Sequence, residues 1–252
     1  MDLIILLFVF VLGLFVGSFL NVCICRLPKD ESVIFPSSHC PKCKHSLAVP
    51  DLFPVLSYVL LRAKCRYCGD RISARYPIVE AVTGLLFVGV YLRFGATMDS
   101  ILMFFLMSVL VGITFSDLET QTIHDYFSFS GIAAGLLYGL NSGSLPGSIY
   151  GLLSGAAIFL LIRAMGWFIY KKEAMGEGDV LLAAMIGAFL GVKGLVLSVA
   201  LSFLIGASVS IVLLALRLKK RGEEIPFGPY LAVSAVIAVF WGEQLWRWYL
   251  GY

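Results

Sequence analysis

Charge is scarce in this chain. Of its 252 residues, 14% are Asp, Glu, Lys or Arg, against about 25% in soluble domains. Hydrophobic residues make up 60%, and the mean hydropathy is +0.92. That leaves too little polar surface to face water. A water-soluble protein is excluded, and an all-α polytopic membrane protein is expected. The first apolar run lacks a basic start and a small-residue cleavage site, so it reads as a retained helix rather than a signal peptide. No internal repeat or low-complexity stretch stands out. The net charge of +3 reflects basic residues at span ends and is no footprint for nucleic acid.

A helix crossing a bilayer needs about 20 apolar residues, with a range of about 17–25. About eight such spans are expected, near 2–22, 78–94, 99–115, 126–140, 147–170, 179–191, 194–216 and 228–249. The fourth and sixth are short; they either continue through polar flanks or sit partly as re-entrant pieces. The expected organisation is a first membrane helix (1–22), a loop domain (23–77) and a second membrane portion (78–252). Gly13 and the pair Gly17-Ser18 suit close helix packing.

Basic residues near span ends set the orientation. Nine lie in the loop 23–77, from Arg26 to Arg75; Lys171 and Lys172 follow the fifth span; Arg217, Lys219, Lys220 and Arg221 follow the seventh. The opposite ends hold only Arg93, Lys193 and Arg247. An outside N-terminus therefore puts all three basic loops in the cytoplasm.

Within the first loop, Cys40-Pro-Lys-Cys43 and Cys65-Arg-Tyr-Cys68 form two CxxC knuckles. Four thiolates in two close pairs suit a tetrahedral zinc ion. Disulfides are the alternative, and a reducing cytoplasmic loop argues against them. Four sulfurs leave no position for substrate, so the site is expected to be structural. A metal supplies folding free energy that a loop of this size cannot gain by burial. His39 and His45 flank the first knuckle and read as solvated. Cys23 and Cys25 read as small apolar residues at the interface. Lys64, directly before the second knuckle, could position a carboxylate; it equally reads as a solvated, orientation-setting lysine.

Two acids sit at the ends of apolar runs. Asp117 ends the run 101–115, and Asp179 opens the run 180–190 from within Gly176-Glu177-Gly178-Asp179. A carboxylate at the mouth of a membrane segment is costly and marks function by default. With both on the cytoplasmic side, they suggest an aspartyl dyad. Gly176 and Gly178 would let an extended substrate approach the acid. The plainer reading of Asp179 is a helix N-cap, and Asp125 is likewise expected to cap the fourth span. Glu119 reads as solvated. Glu80 is expected to bridge to a basic loop residue.

The residues Gly17-Ser-Phe-Leu-Asn21, Arg26-Leu-Pro28, the two knuckles, Arg75-Tyr76-Pro77, Glu80, Asp117-Leu118, Ile123, Asp125, Gly176-Glu-Gly-Asp179 and Pro226-Phe-Gly-Pro229 together resemble the bacterial type IV prepilin peptidases. These are also called leader peptidases/N-methyltransferases, and the resemblance covers nearly the whole chain. It implies that Asp117 and Asp179 are the catalytic pair of a membrane aspartyl protease, related in plan to presenilin-type GxGD enzymes. It implies a bacterial inner-membrane location and prepilin or pseudopilin substrates, cut after a glycine to release a short basic leader. It also implies N-methylation of the new N-terminus with S-adenosylmethionine, and ties the region of Lys64 to that step. Two residues depart from the pattern: His124 stands where members usually carry Pro, and Ala63, before Lys64, where they usually carry Gly.

Three rival readings remain at this level. One is a peptidase without methyl transfer. Another is a proton-coupled transporter relaying through Asp117 and Asp179, although a relay needs acids spread through membrane depth. The third is a zinc-anchored assembly protein in which both aspartates would tolerate Asn.

Overall fold

The computed structural model describes residues 3–171, 175–220 and 225–251. Lys172 and Arg221, counted above among the orienting cations, lie outside the described residues. In lipid a backbone must satisfy its own hydrogen bonds, so long apolar runs fold as helices. The elements are α1 (Leu3–Arg26), α2 (Leu56–Leu60), α3 (Arg75–Phe94), α4 (Met98–Thr120), α5 (Asp125–Asn141), α6 (Leu145–Tyr170), α7 (Glu177–Ala215) and α8 (Gly228–Leu250). Short 3-10 turns at Leu27–Lys29 and Val49–Leu52 interrupt the loop between α1 and α3.

Among the described residues, five segments are long and apolar enough to cross a membrane: Leu3–Lys29, Arg75–Phe94, Met98–Thr120, Leu145–Ile169 and Glu177–Ala215. That is fewer than the eight spans expected. The 17 residues of α5 form a short helix, and α8 carries Glu243 and Arg247 in its second half. The largest difference is α7, a single element of 39 residues covering two expected spans. It is broken at Gly191, whose φ of 62° and ψ of −174° are not helical. Only glycine adopts that geometry readily, and the break falls where the sixth and seventh spans were expected to meet.

The chain divides into two compact units, Met1–Phe115 and Ser116–Tyr252. In the first, α1 and α3 lie backbone to backbone. A Cβ on Gly13 would stand 2.7 Å from Gly84 Cα, and one on Gly17 would stand 2.6 Å from Glu80 Cα. Phe87 of α3 stacks on Phe104 of α4, with centroids 4.4 Å apart. In the second unit, α6 and α7 meet through the facing backbones of Gly151 and Gly187, and of Gly155 and Ala183. The first half of α7, from Leu182 to Phe189, is buried against its neighbours. On α6, Leu153, Leu160, Leu161, Met165 and Phe168 point outward and are exposed. An apolar outer face of that extent suits hydrocarbon rather than water.

The α6–α7 contact generates a test. A side chain at Gly187 would run into the backbone of Gly151 and Leu152. Gly187→Val is expected to cost at least about 1–3 kcal/mol, the range for overpacking, and to lower the thermal midpoint in detergent. A midpoint equal to the parent's would refute this packing.

Candidate active site and metal centre

The second unit brings three separated stretches of sequence together. Asp117 lies in the last turns of α4 and is 5% exposed. Its neighbours Leu118 and Glu119 face outward, so adjacent acids of one helix have opposite surroundings. The Gly228 N–H, at the start of α8, donates to Asp117 Oδ2 at 3.0 Å. Asp179 lies in the first turn of α7, within range of the charge of Asp117.

The helix caps differ from expectation. Gly176 occupies the cap position of α7, and Asp179 stands three residues on. From there its carboxylate accepts the Gly176 N–H, which is half of a capping box. His124 occupies the cap position of α5 without a side-chain cap bond, and Asp125 is the first helical residue, where its charge suits the helix dipole. In both cases the backbone turn enters the helix one to three residues earlier than the acid alone suggested.

Ile123 is the wedge of the site. A Cβ on Gly178 would stand 2.6 Å from Ile123 Cβ. A Cβ on Gly228 would stand 2.7 Å from Asp117 Oδ2 and 3.2 Å from Ile123 Cδ1. Both glycines are therefore needed for close approach. Phe227 fixes the start of α8 through ring contacts with Phe159 of α6 and Phe203 of α7, at 6.1 and 5.3 Å. Pro229 sits in the first turn of α8, where a missing N–H costs nothing. Arg163 of α6 pairs with Glu177 at 2.9 Å, beside the Gly-x-Gly-Asp turn. The role of the Gly228 N–H was not legible beforehand; the only signal was the Pro-Phe-Gly-Pro run itself.

In the first unit, Cys40, Cys43, Cys65 and Cys68 form one cluster, their sulfurs all within 4.8 Å of one another. Each knuckle is built the same way. The Cys40 N–H donates to His45 O and the Lys44 N–H to Cys40 O; likewise Cys65 N–H to Asp70 O and Gly69 N–H to Cys65 O. Lys44 and Gly69 both have positive φ, 59° and 71°. Lys42 bridges to Asp70 across the pair at 2.7 Å. Asp51 accepts from Arg66 Nε at 2.7 Å and from the Tyr67 hydroxyl at 3.1 Å, tying the preceding turn to the second knuckle.

All six cysteines are free thiols. The hydrogen bond from the Cys43 N–H holds the Cys40 thiol down at about 7. At Cys68 the Asp70 N–H also pulls downward, but burial and the neighbouring sulfurs outweigh it and push the thiol up to about 11. A zinc ion with bonds of about 2.3 Å would space its sulfurs about 3.8 Å apart; Cys40 and Cys68 sulfurs are 3.9 Å apart. The residues fit that metal. Neither histidine joins them: His45 rests on the Tyr67 ring at 3.7 Å, and His39 Nδ1 meets Ser37 O at 3.1 Å.

Lys64 is exposed and pairs by a bridge with Arg71. Ala63 before it has φ of 59°, the left-handed geometry that favours the glycine found there in the resembling family. Glu80, expected in a salt bridge, meets the Val55 N–H at 2.7 Å.

Residues 11–94 match the profile of the Bacterial Peptidase A24 N-terminal domain, and residues 103–211 that of the Type IV leader peptidase family. The chain is similar to three curated proteins, each named prepilin leader peptidase/N-methyltransferase. The one from Aeromonas hydrophila is 37% identical, covering 96% of this chain and 92% of the relative. That from Pseudomonas aeruginosa is 36% identical, covering 95% and 91%. That from Neisseria gonorrhoeae is 35% identical, covering 95% and 93%. No solved structure matches the chain.

The strained Ala63 yields a stability test. Ala63→Gly removes a left-handed alanine and is expected to stabilise the loop by about 1 kcal/mol. Hydrogen exchange of amides 63–72 should slow relative to the parent; unchanged or faster exchange would show that the strain is absent.

Proposed function

This chain belongs to the bacterial type IV leader peptidase family and is a membrane prepilin peptidase and N-methyltransferase, and on that premise we propose that Asp117 and Asp179 are its proteolytic pair. The observation that carries the reading is the meeting of Asp117, Ile123, Gly178-Asp179 and Gly228 at one place in the second unit. Family membership sets aside the proton transporter and the assembly scaffold.

Two carboxylates whose charges act on each other favour sharing one proton over both ionising. The ionised member takes a proton from water, which attacks the scissile carbonyl. The protonated member donates to the carbonyl oxygen; the proton taken from water then goes to the departing amine, and the gem-diol returns its hydroxyl proton to the other carboxylate as the carbonyl re-forms. No covalent intermediate is required, and the two acids titrate as one unit. The Gly228 N–H holds the Asp117 carboxylate in one orientation, and Ile123 keeps the two glycine turns in register around it. Gly176 and Gly178 leave room for an extended substrate.

The substrate in this reading is a prepilin or pseudopilin. Its leader lies in the cytoplasm and its apolar helix in the bilayer, so its cleavage site, after a glycine, lies at the interface. Three basic loops support a cytoplasmic face for the acids. The chain would cross the inner membrane eight times, α7 contributing two crossings on either side of Gly191. Residues 23–77 are then the cytoplasmic loop between the first helix (1–22) and the membrane portion (78–252). Cys40, Cys43, Cys65 and Cys68 would hold a structural zinc ion, which supplies folding free energy to that loop. S-adenosylmethionine supplies the methyl group when bound, and Lys64 would steer a carboxylate of cofactor or substrate.

The intact mass of a model prepilin after reaction separates the activities, because loss of the leader and gain of one methyl group are both visible. Asp117→Asn and Asp179→Asn are each expected to abolish cleavage, with the protein still inserted. Glu119→Gln should retain most activity. Gly228→Ala should lower cleavage at least about tenfold, on the scale of misplaced catalytic groups. Lys64→Ala should give cleaved but poorly methylated product. Parent-like cleavage by either Asn variant would end the dyad assignment, and full methylation by Lys64→Ala would end that of Lys64.

For the metal, about one zinc per chain is expected from four thiolates. Cys40→Ser or Cys68→Ser should lower it and expose the loop to protease. Elemental analysis finding four reactive thiols and no zinc would overturn the assignment.

A further inference from the structure

The first unit holds a buried polar cluster that proteolysis does not use. It lies at one end of the α1–α3 seam. Asn21 of α1 is 2% exposed. Its amide nitrogen donates to Gly17 O at 3.3 Å and to Tyr76 O at 3.1 Å. Two carbonyls facing one nitrogen fix how the amide is turned, so its oxygen points away from both. That oxygen, Oδ1, is buried and meets no donor. Buried acceptors are ordinarily satisfied, so one left open asks for a ligand or an explanation.

One helical turn along the seam stands Glu80, 7% exposed. Gly17, four residues before Asn21, lies against the Glu80 backbone, so the two side chains occupy successive layers of one helix pair. The Glu80 carboxylate accepts the Val55 N–H at 2.7 Å and the Ser18 hydroxyl. Val55 reaches it in a conformation, φ 59° and ψ −46°, that a β-branched residue rarely takes. Phe53, two residues earlier, rests edge-on against Phe15 of α1, centroids 6.4 Å apart. The loop is thus bent out of its easy path to close over the seam, and backbone strain of this kind collects at functional sites. Beside it, Arg75 Nη2 donates to Cys25 Sγ at 2.9 Å. A carboxylate and a guanidinium on the ends of membrane helices are costly there unless they act on something.

We infer that the seam binds an ammonium group between Asn21 Oδ1 and the Glu80 carboxylate, and serves the methyl-transfer reaction as its amine pocket. This rests on the methyltransferase activity of the chain. Both molecules that meet in that reaction carry such a group: the α-ammonium of S-adenosylmethionine and the N-terminal amine of the cleaved pilin. An open carbonyl-type acceptor together with a buried anion is what an ammonium needs, since it offers three donors and a positive charge. The four-cysteine cluster does not compete for this role, because soft thiolates suit a metal cation rather than an ammonium.

Glu80→Gln is the discriminating variant. It keeps the shape, and an acceptor for the Val55 N–H, and removes only the charge. The full-length enzyme in detergent is titrated calorimetrically with S-adenosylhomocysteine, which retains the α-ammonium. It is titrated separately with a cleaved-pilin peptide bearing a free or an acetylated N-terminus. Binding of one probe is expected to weaken at least tenfold in Glu80→Gln, with leader cleavage and metal content as in the parent. Loss confined to S-adenosylhomocysteine assigns the cofactor's ammonium; loss confined to the free-amine peptide assigns the pilin's. Glu80→Asp, which restores the charge, should recover part of the binding. Unchanged binding of both probes overturns the inference. So does an equal loss of cleavage and metal, which would make Glu80 a structural group. If the parent enzyme leaves its product unmethylated, the activity beneath the inference fails instead, whatever the variant does.

Discussion

Lipid offers two helices no hydrophobic reason to touch, so how closely their backbones can approach decides which helices pair. In the first unit, Gly13 and Gly17 let α1 lie directly on α3. In the second, Gly151 and Gly187 do the same for α6 and α7. The functional geometry inherits its positions from these contacts. Once α7 is seated on α6, its first turn is seated too, and Asp179 with it. Once α3 is seated on α1, Glu80 and Asn21 have nowhere else to be. A side chain at one of these glycines would therefore act at a distance, by moving a helix rather than by touching a reacting atom.

The helices were legible because the bilayer leaves an apolar run no other choice. Even the break in α7 could be read, since Gly191-Val-Lys193 separates two runs. The cysteine cluster was legible because each knuckle is local: two cysteines three residues apart meet within one turn. What could not be read were partners made of backbone. Glu80 was expected to find a cation and holds the Val55 N–H instead. Asp117 depends on the N–H of Gly228, 111 residues away in the chain. An N–H looks the same at every residue, so no composition or spacing marks the one that matters. The caps of α5 and α7 were misplaced for a related reason. An acid near a helix start can cap it, or reach back to it, and only the backbone path decides which.

The chemistry separates along the chain as the two matched family profiles do. The acids proposed for hydrolysis belong to the second unit, and Asn21 and Glu80, proposed to hold an ammonium, to the first. The two reactions make opposite demands on a carboxylate. Hydrolysis needs a pair that trades one proton, whereas holding an amine needs a single acid kept apart from others.

The two knuckles are one object made twice, and each contributes one buried sulfur, Cys40 or Cys65, and one exposed sulfur, Cys43 or Cys68. An ion seated among them would be walled in on one side and open to solvent on the other. Loading and theft would share that single door, through Cys43 and Cys68, without any movement of the membrane helices. The loop would then be the part of the enzyme whose folding answers to the cell's supply of thiophilic metal, while the bilayer-embedded remainder stays indifferent to it.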